Sequence, residues 1–164
     1  MSRSSKHLHF WVQAAVIAAL YVVLTFLSAQ FGLSGTGLIQ LRLSEALSVL
    51  PYFTPAAIPG LIIGCLLANL LTTSLVWDII FGTLATALGA LFTCLLRKHW
   101  WVAPIPPIFF NTLIVPFVLS YGYGLPQSLP LLFLTTGIGE LASCGLLGLL
   151  LLRALMRHAP VLFR

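Results

Sequence analysis

The chain has almost no charge. Only 7% of its 164 residues are Asp, Glu, Lys or Arg, where soluble domains carry about 25%. Acid is scarcest: Glu45, Asp78 and Glu140 stand against eight Lys and Arg. A water-facing surface cannot be assembled from that inventory. A soluble enzyme and a disordered chain are therefore excluded, and scattered cations give no basic face for nucleic acid. A phosphate-binding loop G-x-x-x-x-G-K-[ST] is also missing, since the only lysines are Lys6 and Lys98 and neither follows a glycine. ATP hydrolysis by that route is excluded. The four histidines, His7, His9, His99 and His158, sit at the ends of apolar stretches. Neither a zinc site nor a Ser–His dyad is expected within the apolar part, and no catalytic residue, metal or cofactor is assigned. Cys65, Cys94 and Cys144 lie inside apolar stretches and read as small hydrophobes in helix packing.

What is present is apolar length. The set AVILMFWYC makes up 60% of the chain, and residues 7–41, 46–77 and 99–139 contain no Asp, Glu, Lys or Arg. About 20 apolar residues cross a bilayer. The pattern predicts an all-α integral membrane protein, residues 1–164 forming a single membrane domain. Its six transmembrane helices are expected at residues 8–31, 43–52, 57–73, 77–96, 101–121 and 129–152. The first is too long for the apolar core of a signal peptide. Helices 2 and 3 are short and joined by a proline-rich turn at Pro51, Pro55 and Pro59.

Charge sets the parity. Arg3 and Lys6, Arg97 and Lys98, and Arg153, Arg157 and Arg164 form three clusters, which the positive-inside bias puts in the cytoplasm. The chain between Lys6 and Arg97 then crosses an even number of times. Two short helices or a re-entrant pair in the proline-rich region both satisfy that condition; two helices are expected, with both termini inside.

Small residues recur at helical spacing in Ala14-xxx-Ala18, Ala15-xxx-Ala19 and Gly60-xxx-Gly64-xxx-Ala68, a spacing that lets helices approach closely in lipid. For Gly60 and Gly64 the expected neighbour lies within the bundle. For the alanines, bundle packing and a partner protein both stay open. The carboxylates are expensive in a membrane and so invite a functional reading. Each has a structural alternative: Asp78 as a helix N-cap, Glu45 paired with Arg42 at i,i+3, and Glu140 paired with Asn111. Under the expected topology Gln40, Arg42, Glu45, Asn69 and Asp78 gather at the outer end. Asn111 and Glu140 lie nearer mid-depth, and Phe133, Thr136, Glu140 and Ser143 share a helix face. An outward-opening polar and aromatic cavity for a small molecule is expected. A self-sufficient proton-coupled transporter or channel, with the three acids as relay, is the alternative.

The stretch Gln40-Leu-Arg42-Leu-Ser44-Glu45-Ala46-Leu47, followed by Leu50-Pro51-Tyr-Phe53-Thr54-Pro55-Ala56-Ala57-Ile58-Pro59-Gly60, resembles the queuosine-precursor transporter family. These are substrate-binding S components of energy-coupling factor (ECF) transporters. Gly64-Cys65 with Asn69, Asp78 with Phe81-Gly82-Thr83, Phe110-Asn111 and Gly139-Glu140-Leu141 look like its other blocks. The resemblance implies a bacterial cell-membrane protein that takes a queuosine precursor, a 7-deazaguanine, from outside. It also implies a membrane coupling protein and two cytoplasmic ATPases, the coupling protein docking on Ala14, Ala15, Ala18 and Ala19. Gln40, Arg42, Glu45, Asn69, Asp78, Asn111, Phe133 and Glu140 are then the candidate ligand contacts.

Overall fold

The computed structural model describes residues 3–33, 41–72 and 75–158. A helix forms in each of the six expected stretches, and no strand occurs among the described residues. The α-helices are α1 (Arg3–Gln30), α2 (Ala57–Thr72), α3 (Val76–Leu95), α4 (Ile105–Phe117), α5 (Leu129–Glu140) and α6 (Gly148–Met156). A 3-10 helix, Leu43–Tyr52, lies between α1 and α2. Two π-helical segments extend α4 (Val118–Gly122) and join α5 to α6 (Leu141–Leu147). Among the described residues four rods are long and apolar enough to cross a membrane: Ser4–Gln30, Val76–Leu95, Trp100–Gly122 and Leu129–Met156.

The local chemistry explains the ends. Helix α1 begins earlier than its apolar run because Ser, Lys and His extend a helix into water at little cost. It stops at Gly32, whose φ of 67° is the left-handed conformation that closes a helix in a Schellman motif. Leu33 N donates to Ser28 O at 2.9 Å and Gly32 N to Ala29 O at 3.0 Å. Pro106 and Pro107 sit in the first turn of α4, where missing donors have no intrahelical acceptor anyway. Pro116 lies inside that helix, and the π register begins two residues later. A missing donor of that kind is a common cause of a local change in helix winding.

The 3-10 helix forms over the expected residues, and its type is the surprise. Runs beyond three or four residues are uncommon in this conformation, yet ten residues adopt it, with Ser44 to Pro51 all buried. At about 2.0 Å per residue it extends roughly 20 Å, and α2 at about 1.5 Å per residue extends roughly 24 Å. Each is shorter than the hydrocarbon core of about 30 Å. The pair makes a hairpin with its prolines at the tip, where Thr54 Oγ1 lies 3.1 Å from Gln13 Oε1 of α1.

Gly60 and Gly64 pack inside the bundle as expected. A Cβ on Gly60 would lie 2.7 Å from Ala14 O, and one on Gly64 would lie 2.8 Å from Tyr21 Cβ and 3.0 Å from Ala18 Cα. That contact consumes half of the alanine pattern. Ala14 and Ala18 are buried against α2, which removes them from any partner surface, while Ala15 and Ala19 face outward. The apolar core around them is Ile17, Tyr21, Leu47, Leu50, Leu61 and Cys65. Outward-facing Trp11, Leu20, Ile80, Leu84, Leu91 and Leu150 cover the rods with large exposed apolar side chains, a lipid-facing surface.

Candidate functional site

Two polar clusters lie among the apolar rods. One, called outer because it lies nearer the helix ends, joins the start of the 3-10 helix, α2, the first turn of α3 and the segment after α4. Arg42 Nη2 lies 3.9 Å from Asp78 Oδ2, and Tyr123 Oη donates to the same oxygen at 3.2 Å. Asn69 Nδ2 donates to the Asp78 carbonyl at 3.3 Å. Gly82 makes room there, since a Cβ on it would lie 3.1 Å from Asn69 Nδ2. Asp78 is not a cap: the N-cap is Leu75, three residues earlier. It stands in the first turn, where a carboxylate also complements the helix dipole.

The inner cluster centres on Glu45, which is 2% exposed. Its Oε1 accepts from Tyr21 Oη at 2.6 Å. Its Oε2 accepts from Ser48 Oγ at 3.1 Å and from Asn111 Nδ2 at 3.3 Å. The spacing that invites a pair with Arg42 is thus not used for one. Arg42 reaches across to Asp78 instead, and Ser48, one 3-10 turn beyond Glu45, closes on the carboxylate. Three hydrogen bonds from three elements give both oxygens of Glu45 a donor, so it reads as a structural hub.

Glu140 is different. It ends α5 where the π register starts, a kind of irregularity that gathers at functional sites. It is 9% exposed, faces Asn111, and its Oε2 is buried with no hydrogen-bond partner. A buried acceptor left open costs roughly 1–3 kcal/mol. Among the described residues Thr83 Oγ1, Thr112 Oγ1 and Gln127 Oε1 are also unmatched, and Glu140 Oε2 is the one that belongs to a carboxylate.

The remaining expected residues divide. Arg42, Asp78 and Asn69 meet in the outer cluster; Glu45, Asn111 and Glu140 meet in the inner one. Gln40 lies outside the described residues. Phe133 goes elsewhere: it meets Phe117 edge-on at 5.5 Å, in an apolar groove of about 530 Å³ with Ile108, Thr112, Gly137 and Leu141. None of the carboxylates lines that groove. A second groove, about 500 Å³, is edged by Trp77, Phe81, Phe117 and Tyr121 and is also largely apolar. Neither of these two grooves is the expected polar cavity, and the acids and amides of the two clusters lie buried against one another. Sequence reasoning missed Tyr21, Ser48 and Tyr123. Tyr21 had a usable signal: with Thr25 and Ser28 it forms a polar stripe at i, i+4, i+7 on one face of α1.

Among the described residues no group of three or more His, Cys, Asp or Glu is close enough to hold a metal ion. A family model described as "QueT transporter" matches residues 11–157. The protein named "Queuosine precursor transporter QueT" from Lactococcus lactis subsp. cremoris (strain MG1363) is 36% identical over 104 residues, which is 60% of this chain and 60% of that protein. The match thus spans less than two thirds of the relative's length. No solved structure matches the chain.

Proposed function

The chain belongs to the QueT transporter family, and from that premise we propose that it is the substrate-specific membrane subunit of an ATP-driven ECF-type importer. Its ligand is a queuosine precursor, a 7-deazaguanine taken from outside the cell. The observation that carries this reading is the open, buried Oε2 of Glu140. A carboxylate can accept N–H groups of a 2-amino-pyrimidinone edge, and the Asn111 amide, which holds Glu45 Oε2, stands beside Glu140. The name of the Lactococcus relative agrees with that ligand class. In the proposed topology the Arg42–Asp78–Tyr123 cluster lies toward the outside and serves as a clasp over the entry. A single ion-pair contact of 3.9 Å with Arg42 partly exposed is a weak tie, suited to opening.

The sequence has no phosphate-binding loop, so the energy comes from partners. Ala15 and Ala19 on the outer face of α1 are the proposed docking face for a membrane coupling protein, which joins two cytoplasmic ATPases to this subunit. The proposed topology has six crossings and both termini in the cytoplasm. Reporter fusions after Lys98 and after Arg157 should read cytoplasmic and one after Gly37 external; an external reading at Lys98 contradicts the topology.

The functional test is reconstitution. The purified chain should bind 7-deazaguanine in detergent yet move none into liposomes until the coupling protein and ATPases are added. Uptake by the chain alone, driven by a proton gradient, would replace this reading with a self-sufficient transporter.

A further inference from the structure

Helix α1 carries three polar side chains on its buried face, and they meet three consecutive residues of the 3-10 helix. Leu43 N donates to Ser28 Oγ at 2.9 Å. Thr25 Oγ1 and Ser44 Oγ lie 2.9 Å apart. Tyr21 Oη donates to Glu45 Oε1 at 2.6 Å. Residues 28, 25 and 21 thus meet 43, 44 and 45 as rungs of an antiparallel ladder. Each rung is anchored on α1 itself or by burial: Ser28 Oγ donates to Leu24 O at 2.8 Å, Thr25 Oγ1 lies 2.9 Å from Tyr21 O, and the Tyr21 ring is buried beside Gly64.

The far side of the 3-10 helix leads to Glu140 by two routes. Glu45 Oε2 holds the Asn111 amide at 3.3 Å, and Asn111 faces Glu140. Arg42 N donates to Ser143 Oγ at 3.2 Å, three residues beyond Glu140 in the π segment. The ladder therefore sets the register of the element that holds both neighbours of the open carboxylate.

We propose that Tyr21, Thr25 and Ser28 are positioning residues for the ligand site, seating the 3-10 helix so that Asn111 is held by Glu45 and Glu140 Oε2 stays open. The proposal rests on the reading that Glu140 accepts the ligand. Its physical basis is the demand of a buried carboxylate for donors. Without the Tyr21 hydroxyl, Glu45 Oε1 loses its short hydrogen bond, and the carboxylate turns to draw on the remaining donors, Ser48 and Asn111. Asn111 then moves relative to Glu140, and a site that Tyr21 never touches changes shape.

Calorimetric titration of 7-deazaguanine into the purified full chain tests it. Tyr21→Phe keeps the ring and removes one hydroxyl; affinity should fall by roughly 2- to 30-fold, the range of coupling carried by residues remote from a ligand. Combined with Glu140→Gln, the two losses should be less than additive, because both act on one carboxylate's geometry. Thr93→Val is the control. It removes an equally buried hydrogen bond, Thr93 Oγ1 to Ala103 O at 2.9 Å, and should lower the unfolding temperature while leaving affinity unchanged. If Tyr21→Phe does not fold, Thr25→Val breaks the adjacent rung and carries the same comparison. Wild-type binding with Glu140→Gln weakened but Tyr21→Phe unchanged overturns the ladder alone. Strictly additive losses also overturn it. Absence of wild-type binding overturns the reading of the site, and the ladder with it.

Discussion

Glu45 and Glu140 are both buried, both reached by Asn111, and they differ in one respect. Glu45 has a donor on each oxygen and three in all, from α1, the 3-10 helix and α4. Glu140 has an oxygen with none. In a protein with three carboxylates, two buried acids at such close quarters are costly, and the cost must be met differently at each. At Glu45 the chain supplies the donors itself, which makes the acid part of the fold. At Glu140 Asn111 stands beside the carboxylate and Oε2 is left without a donor, which under the proposed function a ligand supplies. On the proposed reading the first acid holds structure and the second recognises a ligand, and sequence alone gives no means of telling them apart.

The sharpest way to break this comparison is to remove each acid in turn. Glu45→Ala strands the donors of Tyr21, Ser48 and Asn111, at about 1–3 kcal/mol for each buried group left unmatched. The loss of stability should be about 3 kcal/mol or more, read as a large fall in the thermal unfolding midpoint in detergent. Glu140→Ala removes an acid whose Oε2 has no partner and should cost less than half as much. Equal losses would mean that the two acids are equally structural.

A smaller effect should follow from crowding the crossing that seats Tyr21. Gly64→Ala places a Cβ 2.8 Å from Tyr21 Cβ and 3.0 Å from Ala18 O, and overpacking of this kind costs about 1–3 kcal/mol. Because α1 must shift, the Tyr21 hydroxyl moves off Glu45, and ligand affinity should drop along with stability. Loss of stability with affinity intact would detach the α1–α2 crossing from the inner cluster.

The mildest change is at the outer clasp. Arg42→Gln removes an ion pair whose partly exposed geometry is worth about 1 kcal/mol or less. Stability should hardly change, and ligand association, followed by stopped-flow fluorescence, should become faster as the clasp loosens. Slower association would mean that Arg42 steers the ligand rather than closing over it.

Much of the fold was legible in the sequence because lipid enforces a simple rule. Uncharged runs between basic clusters predicted where helices form, and the short helix 43–52 that precedes the proline-rich turn was placed to the residue. The winding was not legible. Periodicity does not distinguish a ten-residue 3-10 helix from a short α-helix, and nothing in Gly139-Glu140-Leu141 announces a π turn. The site was half legible for a related reason. Burial cost singles out charged residues, so Glu45, Asp78, Asn111 and Glu140 drew notice. Hydrogen-bond donors without charge, such as Tyr21 and Ser48, look like ordinary members of an apolar helix. The pairing of Arg42 with Asp78 rather than Glu45 was beyond reach, because the choice depends on how the 3-10 helix turns Arg42 toward α3. The alanines on α1 show the same limit: two interleaved patterns read alike, and only the position of Gly60 and Gly64 decides which of them α2 covers.

The most direct test of the central claim is calorimetry of 7-deazaguanine with wild type and Glu140→Gln. The substitution keeps shape and volume and turns one acceptor oxygen into a donor, so that a ligand N–H faces an N–H. An unmatched buried donor costs roughly 1–3 kcal/mol, and affinity should fall by about 5- to 150-fold with the unfolding temperature nearly unchanged. A well-folded Glu140→Gln that binds as tightly as wild type would contradict the account and make Glu140 a structural partner of Asn111.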